Sequence, residues 1–199
     1  MKFTIESKII STLKLFAGQK DTITNLNGIN LEIHSDKVIF AATDGRILGC
    51  YRYEYTQDIT EPVKNVIIPN DLLKHVKTKG KVTFIISDEV NGLYGRSVTI
   101  IYDGLSVTGR SIDMMYPDFR RVIPDTTSNE TAQFDADYLA TIGKAHKILN
   151  DKKNAWARIE HNGSNTALFN LGNDNFIGVI MPLRTGGMCG KPTRPSWLD

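Results

Sequence analysis

The stretch Tyr116-Pro117-Asp118-Phe119-Arg120-Arg121-Val122-Ile123-Pro124 is the most specific pattern in this chain of 199 residues. Prolines stand near both of its ends and resist inclusion in a longer helix, while two adjacent arginines separate an aromatic residue from aliphatic ones. By itself the pattern indicates a proline-bounded turn that exposes both arginines. Its wider meaning depends on the sequence on either side.

A short strand followed by a helix and further strands occurs three times along the chain. In the first copy, residues 2–5 alternate as a strand, Ser7 is the predicted helix cap, and Ile9, Leu13 and Phe16 form an apolar helical face. The second copy opens at residues 66–68 and the third near residues 132–134, where Asp135 or Asp137 would cap the helix. Internal repetition is typical of array architectures, and the alternating strands predict antiparallel sheets covered on one face by helices.

The repeats predict an α+β fold with one complete domain and a further half. The domain covers residues 1–124 and consists of two units, at about 1–55 and 64–124. The polar residues 125–131 form a linker, and residues 132–184 form the third unit. Residues 185–199 are rich in glycine and proline, so we expect a flexible tail.

Lysines on the predicted helices are the candidate contacts to nucleic acid. The net charge of the chain is only +2, so their position matters more than their number. The second helix, predicted to run from Asn70 to about Gly80, would carry three lysines on one face. A basic surface of this kind attracts phosphates without reading base sequence, although lysine is also common on ordinary solvated helices. The candidates are Lys8, Lys14, Lys20, Lys74, Lys77, Lys81, Lys144 and Lys147.

Catalytic and metal-binding patterns are missing from the sequence. Cys50 and Cys189 lie far apart, and no Cys/His spacing typical of zinc occurs. The four histidines stand in unrelated contexts, and neither a phosphate-binding loop nor a nucleophile elbow is present. We therefore expect no enzymatic activity, no cofactor and no metal. Without an apolar segment typical of a signal peptide or a membrane span, the expected location is cytoplasmic.

The nonapeptide at 116–124 closely resembles the signature that closes the middle domain of the bacterial replicative sliding clamp, the beta subunit of DNA polymerase III. Four further segments resemble that family in the same order, and together they cover the chain up to Arg184. They are residues 25–29 (NLNGI), 42–48 (ATDGRIL), 66–69 (VIIP) and 179–184 (VIMPLR). Compared with the family, the chain lacks the first domain and half of the last. The third unit resembles both halves of that last domain.

The resemblance implies a DNA-clamp fold, in which sheets form an outer rim and basic helices line a central hole. It also implies a sliding clamp that encircles double-stranded DNA and tethers a DNA polymerase, a clamp loader or other replication proteins. Family rings contain twelve units, so three units per chain favour a homotetramer, with a dimer or trimer as alternatives. The alternative function is a clamp-like decoy or modulator that binds replication proteins without encircling DNA.

The resemblance also implies a pocket for short partner peptides, with an apolar floor for leucine or phenylalanine anchors. Arg46 and Ile47 differ from the family pattern there. The predicted pocket residues are Leu26, Thr43, Gly45, Leu48, Pro117, Arg121, Val122, Tyr138, Met181, Pro182, Leu183 and Arg184. The alternative for the apolar members of this set is simple core packing.

Overall fold

The structure is a computed structural model that describes residues 1–19, 22–56, 62–90, 95–184 and 194–195. Within these residues it contains three α-helices and two antiparallel sheets, which confirms the predicted α+β class. The first predicted unit contains β1 (Lys2–Glu6), α1 (Ser7–Leu13), β2 (Gly28–Ile33), β3 (Lys37–Thr43) and β4 (Ile47–Glu54). The second contains β5 (Val63–Pro69), α2 (Asn70–Leu73), β6 (Lys81–Val90), β7 (Arg96–Tyr102) and β8 (Leu105–Arg110). The third contains α3 (Ala136–Asn150), β9 (Arg158–Glu160), β10 (Ala167–Asn170) and β11 (Phe176–Ile180).

The first two units interlock by exchanging the strand that precedes each helix. β1 pairs with β6 in a four-stranded sheet of order β1-β6-β7-β8, and β5 pairs with β2 at the end of the other sheet. The alternation of apolar residues along these strands buries Phe3 and Ile5 from β1, and Ile68 from β5. The exchange means that neither unit completes its sheet alone.

The third unit extends the sheet of the first unit. β11 pairs antiparallel with β4, which gives a seven-stranded sheet of order β5-β2-β3-β4-β11-β10-β9. At the junction Gly178 lies opposite Gly49, and a Cβ atom at either position would overlap an aromatic ring, that of Phe169 or Phe16. The paired glycines therefore let the two rings pack across the junction, 6.0 Å apart between centroids.

The first helix is shorter than the sequence predicts. α1 ends at Leu13, and Phe16 lies in a tightened turn beyond it, where its amide donates to the Leu13 carbonyl at 3.0 Å. The prediction that Ser7 caps the helix is wrong, because its hydroxyl donates instead to the Gly80 carbonyl at 3.0 Å. Phe16 is nevertheless fully buried, as its spacing suggested.

The second helix differs more strongly, because α2 ends at Leu73 after a single turn. The Lys14 ammonium donates to the carbonyls of Leu73 (2.8 Å) and Val76 (3.2 Å). The Leu73 carbonyl also accepts from the Val76 amide at 3.0 Å, so the chain closes in a tight turn here instead of continuing as an α-helix. The prediction of one basic helical face is therefore wrong for Lys74, Lys77 and Lys81.

The third helix begins as predicted. The Asp135 carboxylate accepts a hydrogen bond from the Asp137 amide at 2.8 Å, and the helix ends at Asp151 in a left-handed conformation. The expected strand near residues 132–134 is not among the strands of the described residues. α3 packs against α1, and Lys8 bridges the two by pairing with Asp151 at 2.8 Å.

None of the helices in the described residues is long and apolar enough to cross a membrane.

Candidate functional site

An apolar groove of about 150 Å³ lies where the β3–β4 turn, the signature segment (residues 116–124) and the last strand meet. Leucine, isoleucine, valine, phenylalanine and methionine side chains form most of its wall. The lining residues are Leu26, Thr43, Gly45, Arg46, Ile47, Leu48, Pro117, Asp118, Phe119, Val122, Thr166, Val179 and Met181. The site therefore combines segments far apart in the sequence.

The β3–β4 turn forms one wall and is held by its own short side chains. Asp44 Oδ1 accepts hydrogen bonds from the amides of Arg46 (2.8 Å) and Ile47 (3.0 Å). The Thr43 hydroxyl donates to the Ile47 carbonyl at 2.7 Å, and Gly45 adopts φ +91°, a region that favours glycine. The Thr-Asp-Gly sequence thus builds a rigid turn on which Arg46 and Ile47 face the groove.

The signature segment forms the second wall and is anchored by Arg120. Its guanidinium makes two hydrogen bonds to the buried carboxylate of Glu32, at 2.9 and 2.5 Å. The same guanidinium lies 4.6 Å from the centroid of the Phe119 ring, and the Glu32 contact raises the pKa of Arg120. This bidentate pairing of Arg120 with Glu32 fixes the 3₁₀ turn at residues 119–122. It thereby fixes the position of Val122 in the groove.

The third unit supplies the remaining wall. Val179 on β11 lies opposite Leu48, and the Met181 amide donates to the Arg46 carbonyl at 2.8 Å. The Thr166 hydroxyl donates to the Val122 carbonyl at 3.0 Å. Because these bonds tie the third unit to both other walls, the groove depends on the docking of that unit.

Tyr138 strengthens this docking from outside the groove. Its hydroxyl, near the start of α3, donates to Asp44 Oδ2 at 2.8 Å. Burial and then the hydrogen bond to the Asp44 carboxylate raise the pKa of Tyr138 to about 12. The phenol therefore stays protonated, and able to donate, at neutral pH.

The groove contains seven of the twelve predicted pocket residues, namely Leu26, Thr43, Gly45, Leu48, Pro117, Val122 and Met181. The other five lie outside its lining: Arg121, Tyr138, Pro182, Leu183 and Arg184. Arg121 and Leu183 are exposed, and the Leu183 amide donates instead to the Gln133 carbonyl at 2.8 Å. The main chain beyond Met181 turns toward the residues before α3, which moves the last three predicted residues away from the groove.

Six residues of the groove were not among the twelve predicted pocket residues. Arg46, Ile47, Asp118 and Phe119 stand inside the two segments that the sequence had singled out, so their neighbours were the available signal. Thr166 and Val179 belong to the third unit, whose register against β4 is a property of the tertiary structure. Val179 opens the segment 179–184 that resembles the family, whereas no local pattern marks Thr166.

The predicted DNA-binding lysines differ in what their ammonium groups do. Lys74, Lys77, Lys81, Lys144 and Lys147 are exposed. Lys8 pairs with Glu6 (3.1 Å) and Asp151 (2.8 Å), and the ammonium of Lys14 bonds to main-chain carbonyls inside the fold. Burial lowers the pKa of Lys14. Lys20 and most of the predicted tail, residues 185–193 and 196–199, lie outside the described residues.

A metal centre is not apparent in the described part of the chain, which contains no group of three or more His, Cys, Asp or Glu side chains placed to hold an ion. Cys50 is buried among apolar side chains, and burial raises the pKa of its thiol to about 12. A thiol of this kind is inert at neutral pH.

Comparison with known proteins finds a family model and a curated relative that both belong to the DNA polymerase III beta subunit. The family model for the central domain of the DNA polymerase III beta subunit matches residues 4–118. A beta sliding clamp from Synechococcus elongatus is 27% identical over 157 residues, which cover 77% of this chain and 41% of that protein. The chain thus spans about two fifths of the length of that curated relative.

Solved structures show the same fold. A crystal structure of the DNA polymerase sliding clamp from Pseudomonas aeruginosa with ligand has a TM-score of 0.68 at 17% identity, covering 92% of this chain and 66% of that chain. A structure of DNA polymerase III subunit beta from Borrelia burgdorferi in complex with a natural product also has a TM-score of 0.68, at 16% identity. That match covers 94% of this chain and 63% of the other.

Proposed function

Because the chain belongs to the DNA polymerase III beta subunit family of sliding clamps, we propose that it is a DNA sliding clamp, a non-enzymatic processivity factor of the cytoplasm. Several copies close into a ring around duplex DNA. The ring tethers a DNA polymerase, a clamp loader or other replication proteins through short peptide motifs. The function needs neither a cofactor nor a metal.

The apolar groove is the observation that carries this proposal. Val122 and Met181 are large apolar side chains at its mouth, and both are more than two fifths exposed. Exposed apolar side chains beside a concave apolar surface are typical of a site that a partner covers. Leucine or phenylalanine side chains of a short peptide fit such a groove, with Arg46 and Asp118 available to orient the peptide at its rim.

The exposed lysines supply the contact to DNA in this proposal. Lys144 and Lys147 lie three residues apart on α3 and therefore share a face of that helix. Lys74, Lys77 and Lys81 add positive charge from a loop and the start of β6. Flexible ammonium groups that contact phosphates carry no base readout, which suits a protein that slides along duplex DNA.

A homotetramer is the oligomer that we propose. Four chains of three units provide the twelve units of a family ring. Adjacent units in this fold alternate in orientation, so a chain with an odd number of units leads to two kinds of symmetric interface. The tetramer is then a dimer of dimers with two equivalent faces.

A clamp-like decoy or modulator is the second candidate function. The short α2 removes the predicted helical row of lysines, and Lys14 bonds within the fold. The groove, in contrast, is complete within one chain. A protein that binds replication proteins without encircling DNA needs the groove and no basic hole.

Retention on circular DNA distinguishes the two functions. The protein is incubated at high concentration with a nicked circular plasmid, and bound complexes are isolated by gel filtration in moderate salt. A ring remains on the circle and is released once a restriction enzyme linearises the plasmid. Equal retention on circular and linear DNA, or on neither, would contradict encirclement.

Charge-reversal variants test the lysine surface in the same assay. Replacing Lys144 and Lys147 by glutamate reduces retention and lowers the slope of log affinity against log salt by about 2 per chain in contact with DNA. The matched control replaces Arg52 and Arg121 by glutamate. Both arginines are exposed: Arg121 belongs to the signature segment, and Arg52 lines a hollow together with Phe119 and Arg120 of that segment. This control changes the total charge equally and retains binding.

A further inference from the structure

A left-handed turn at the end of α3 sends the following chain back along the helix. Asp151 has φ +52°, and the Lys152 amide donates to the Lys147 carbonyl at 3.2 Å. The returning segment reaches Ala155, whose Cβ atom would lie 3.7 Å from a Cβ atom placed on Gly143 of α3. Between this segment and the helix lies a hollow of about 370 Å³, separate from the apolar groove.

Basic, amide and aromatic side chains line this hollow, and none of its lining residues is acidic. They are His146, Asn150, Lys152, Lys153, Asn154, Trp156 and Gly172. Both lysines are exposed, and in the described part of the chain neither ammonium forms an ion pair. The hollow therefore presents positive charge to an anion, and its size lies within the range of small-ligand sites, about 300–1,000 Å³.

Trp156 offers an aromatic face beside these lysines. A Cβ atom on Gly172 would lie 2.7 Å from the indole ring, so the ring rests directly on the main chain of that glycine. The His146 imidazole supports it as well, at 5.0 Å between ring centroids. Trp156 is nevertheless 58% exposed. The indole is thus held in place by two neighbours, while much of its surface stays free to stack with a flat partner.

His146 contributes a polar atom without a partner. The residue is 2% exposed, and its Nδ1 atom has no hydrogen bond within the described residues. Buried polar atoms nearly always have a partner, so such an exception points to a role. Burial lowers the pKa of His146, and its neutral imidazole serves as hydrogen-bond donor at one nitrogen and acceptor at the other. Because His146 lines the hollow, a ligand inserted beside the indole supplies the missing partner.

We propose that this hollow binds a nucleotide of single-stranded DNA. One base stacks on the exposed face of Trp156, and the phosphates on either side of it pair with Lys152 and Lys153. The Asn154 amide and His146 Nδ1 supply hydrogen bonds to the base or its sugar.

A single strand fits these groups better than a duplex or an acidic peptide. An aromatic face combined with lysines binds single strands without sequence preference, because every base has a π face. Bases in a duplex already stack on one another and leave no face for the indole. An acidic peptide would use the lysines but leave Trp156 without a role.

The position of the hollow relates it to the proposed clamp. It lies at the end of α3, next to the helix that carries Lys144 and Lys147, the proposed contacts to duplex DNA. A junction between duplex and single strand would then touch both surfaces. This placement rests on the proposed function, whereas binding of a single strand by the hollow does not.

Fluorescence anisotropy with a labelled oligothymidylate of about twelve nucleotides tests the stacking. We expect Trp156→Ala to weaken binding at least about fivefold, and Trp156→Phe, which keeps an aromatic face, to retain most of the affinity. The matched control is Leu105→Ala, since Leu105 is 53% exposed and begins β8 in the other sheet. An unchanged W156A variant, or an equal loss in L105A, would overturn the proposal.

Salt dependence tests the phosphate contacts. The double variant K152Q/K153Q should lower the slope of log affinity against log salt by about 1.4, because each neutralised phosphate of a single strand contributes about 0.7. The control K2Q/K79Q removes two exposed lysines outside the lining and should leave the slope unchanged. Equal slopes in the two double variants would contradict the site.

Two further ligands separate this site from other forms of binding. A labelled hairpin duplex should bind W156A as well as the wild type, and an equal loss for hairpin and single strand would overturn stacking as the cause. Free thymidine monophosphate should bind far more weakly than the oligothymidylate. Equal affinity would overturn a single-strand site in favour of a free-nucleotide site. These short linear probes need no ring, so a negative result here and a failure to be retained on circular DNA are distinguishable.

Discussion

The hydroxyl of Tyr138 donates a hydrogen bond to Asp44 Oδ2 at 2.8 Å, and this contact joins residues 94 positions apart in the sequence. The other oxygen of the same carboxylate holds the amides of the β3–β4 turn. One aspartate therefore shapes the groove and anchors the helix of the third unit. The groove and the docking of this unit are consequently coupled.

Replacing Tyr138 by phenylalanine is expected to lower the free energy of unfolding by about 1 kcal/mol, because one partly buried hydrogen bond is lost without a change in shape. Urea unfolding at neutral pH measures this effect. The pKa of Tyr138 is raised in the fold, so its stabilising contribution is present below pH 10 and is lost as the pH rises toward about 12. The variant should lose less stability than the wild type over that range, and an identical alkaline profile would contradict the assignment.

We expect peptide binding to depend on the lining of the groove rather than on the whole C-terminal strand. Met181→Lys places a charge on the apolar wall, and we expect affinity for a short peptide with leucine and phenylalanine side chains to fall at least tenfold. The matched control is Leu183→Lys, which changes a side chain of similar exposure outside the lining. Fluorescence anisotropy with a labelled peptide measures both variants. Equal loss in the two would mean that the binding site extends beyond the groove.

The two adjacent arginines of the signature segment have different roles. Arg120→Gln leaves the buried Glu32 carboxylate without its bidentate partner, and we expect a loss of roughly 2 kcal/mol, because Arg120 is half exposed and water reaches the pair. Arg121→Gln removes an exposed side chain and should change stability by less than about 0.5 kcal/mol. Thermal or urea unfolding compares the two. Equal stabilities of the two variants would show that the pairing of Arg120 with Glu32 does not anchor the signature segment.

Two glycines, one at the β4–β11 junction and one inside α3, predict opposite effects of alanine substitution on stability. Gly178→Ala inserts a methyl group into the Phe169 ring and should destabilise the fold by about 1–3 kcal/mol through overpacking. Gly143→Ala lies inside α3, where the nearest side-chain atom is 3.7 Å from the new methyl group, so we expect a gain of about 0.5–1 kcal/mol. Calorimetry checks both signs. A stable G178A variant would contradict the packing across the junction.

Much of the fold and more than half of the groove were predictable from local sequence. The turn at residues 43–47 needs an aspartate and a glycine at fixed positions, and α3 needs an aspartate as its cap. Both elements could therefore be predicted from the sequence. The length of α2 was not predictable, because a contact across the chain holds the turn that ends it: the ammonium of Lys14, 59 positions before Leu73, donates to the Leu73 carbonyl at 2.8 Å. Val179 reaches the groove through the pairing of β11 with β4, and Thr166 through its hydrogen bond to the Val122 carbonyl, and neither contact is visible in the local sequence.

The mass of the protein in solution tests the central claim most directly, since encirclement by so short a chain requires several copies. Light scattering over a range of concentrations, without DNA or partner peptides, measures it. The proposed ring predicts four chain masses, with two chain masses on dilution as the dimer of dimers separates. A single chain mass of 22.2 kDa at every concentration would contradict the ring and leave the decoy or modulator as the function to pursue.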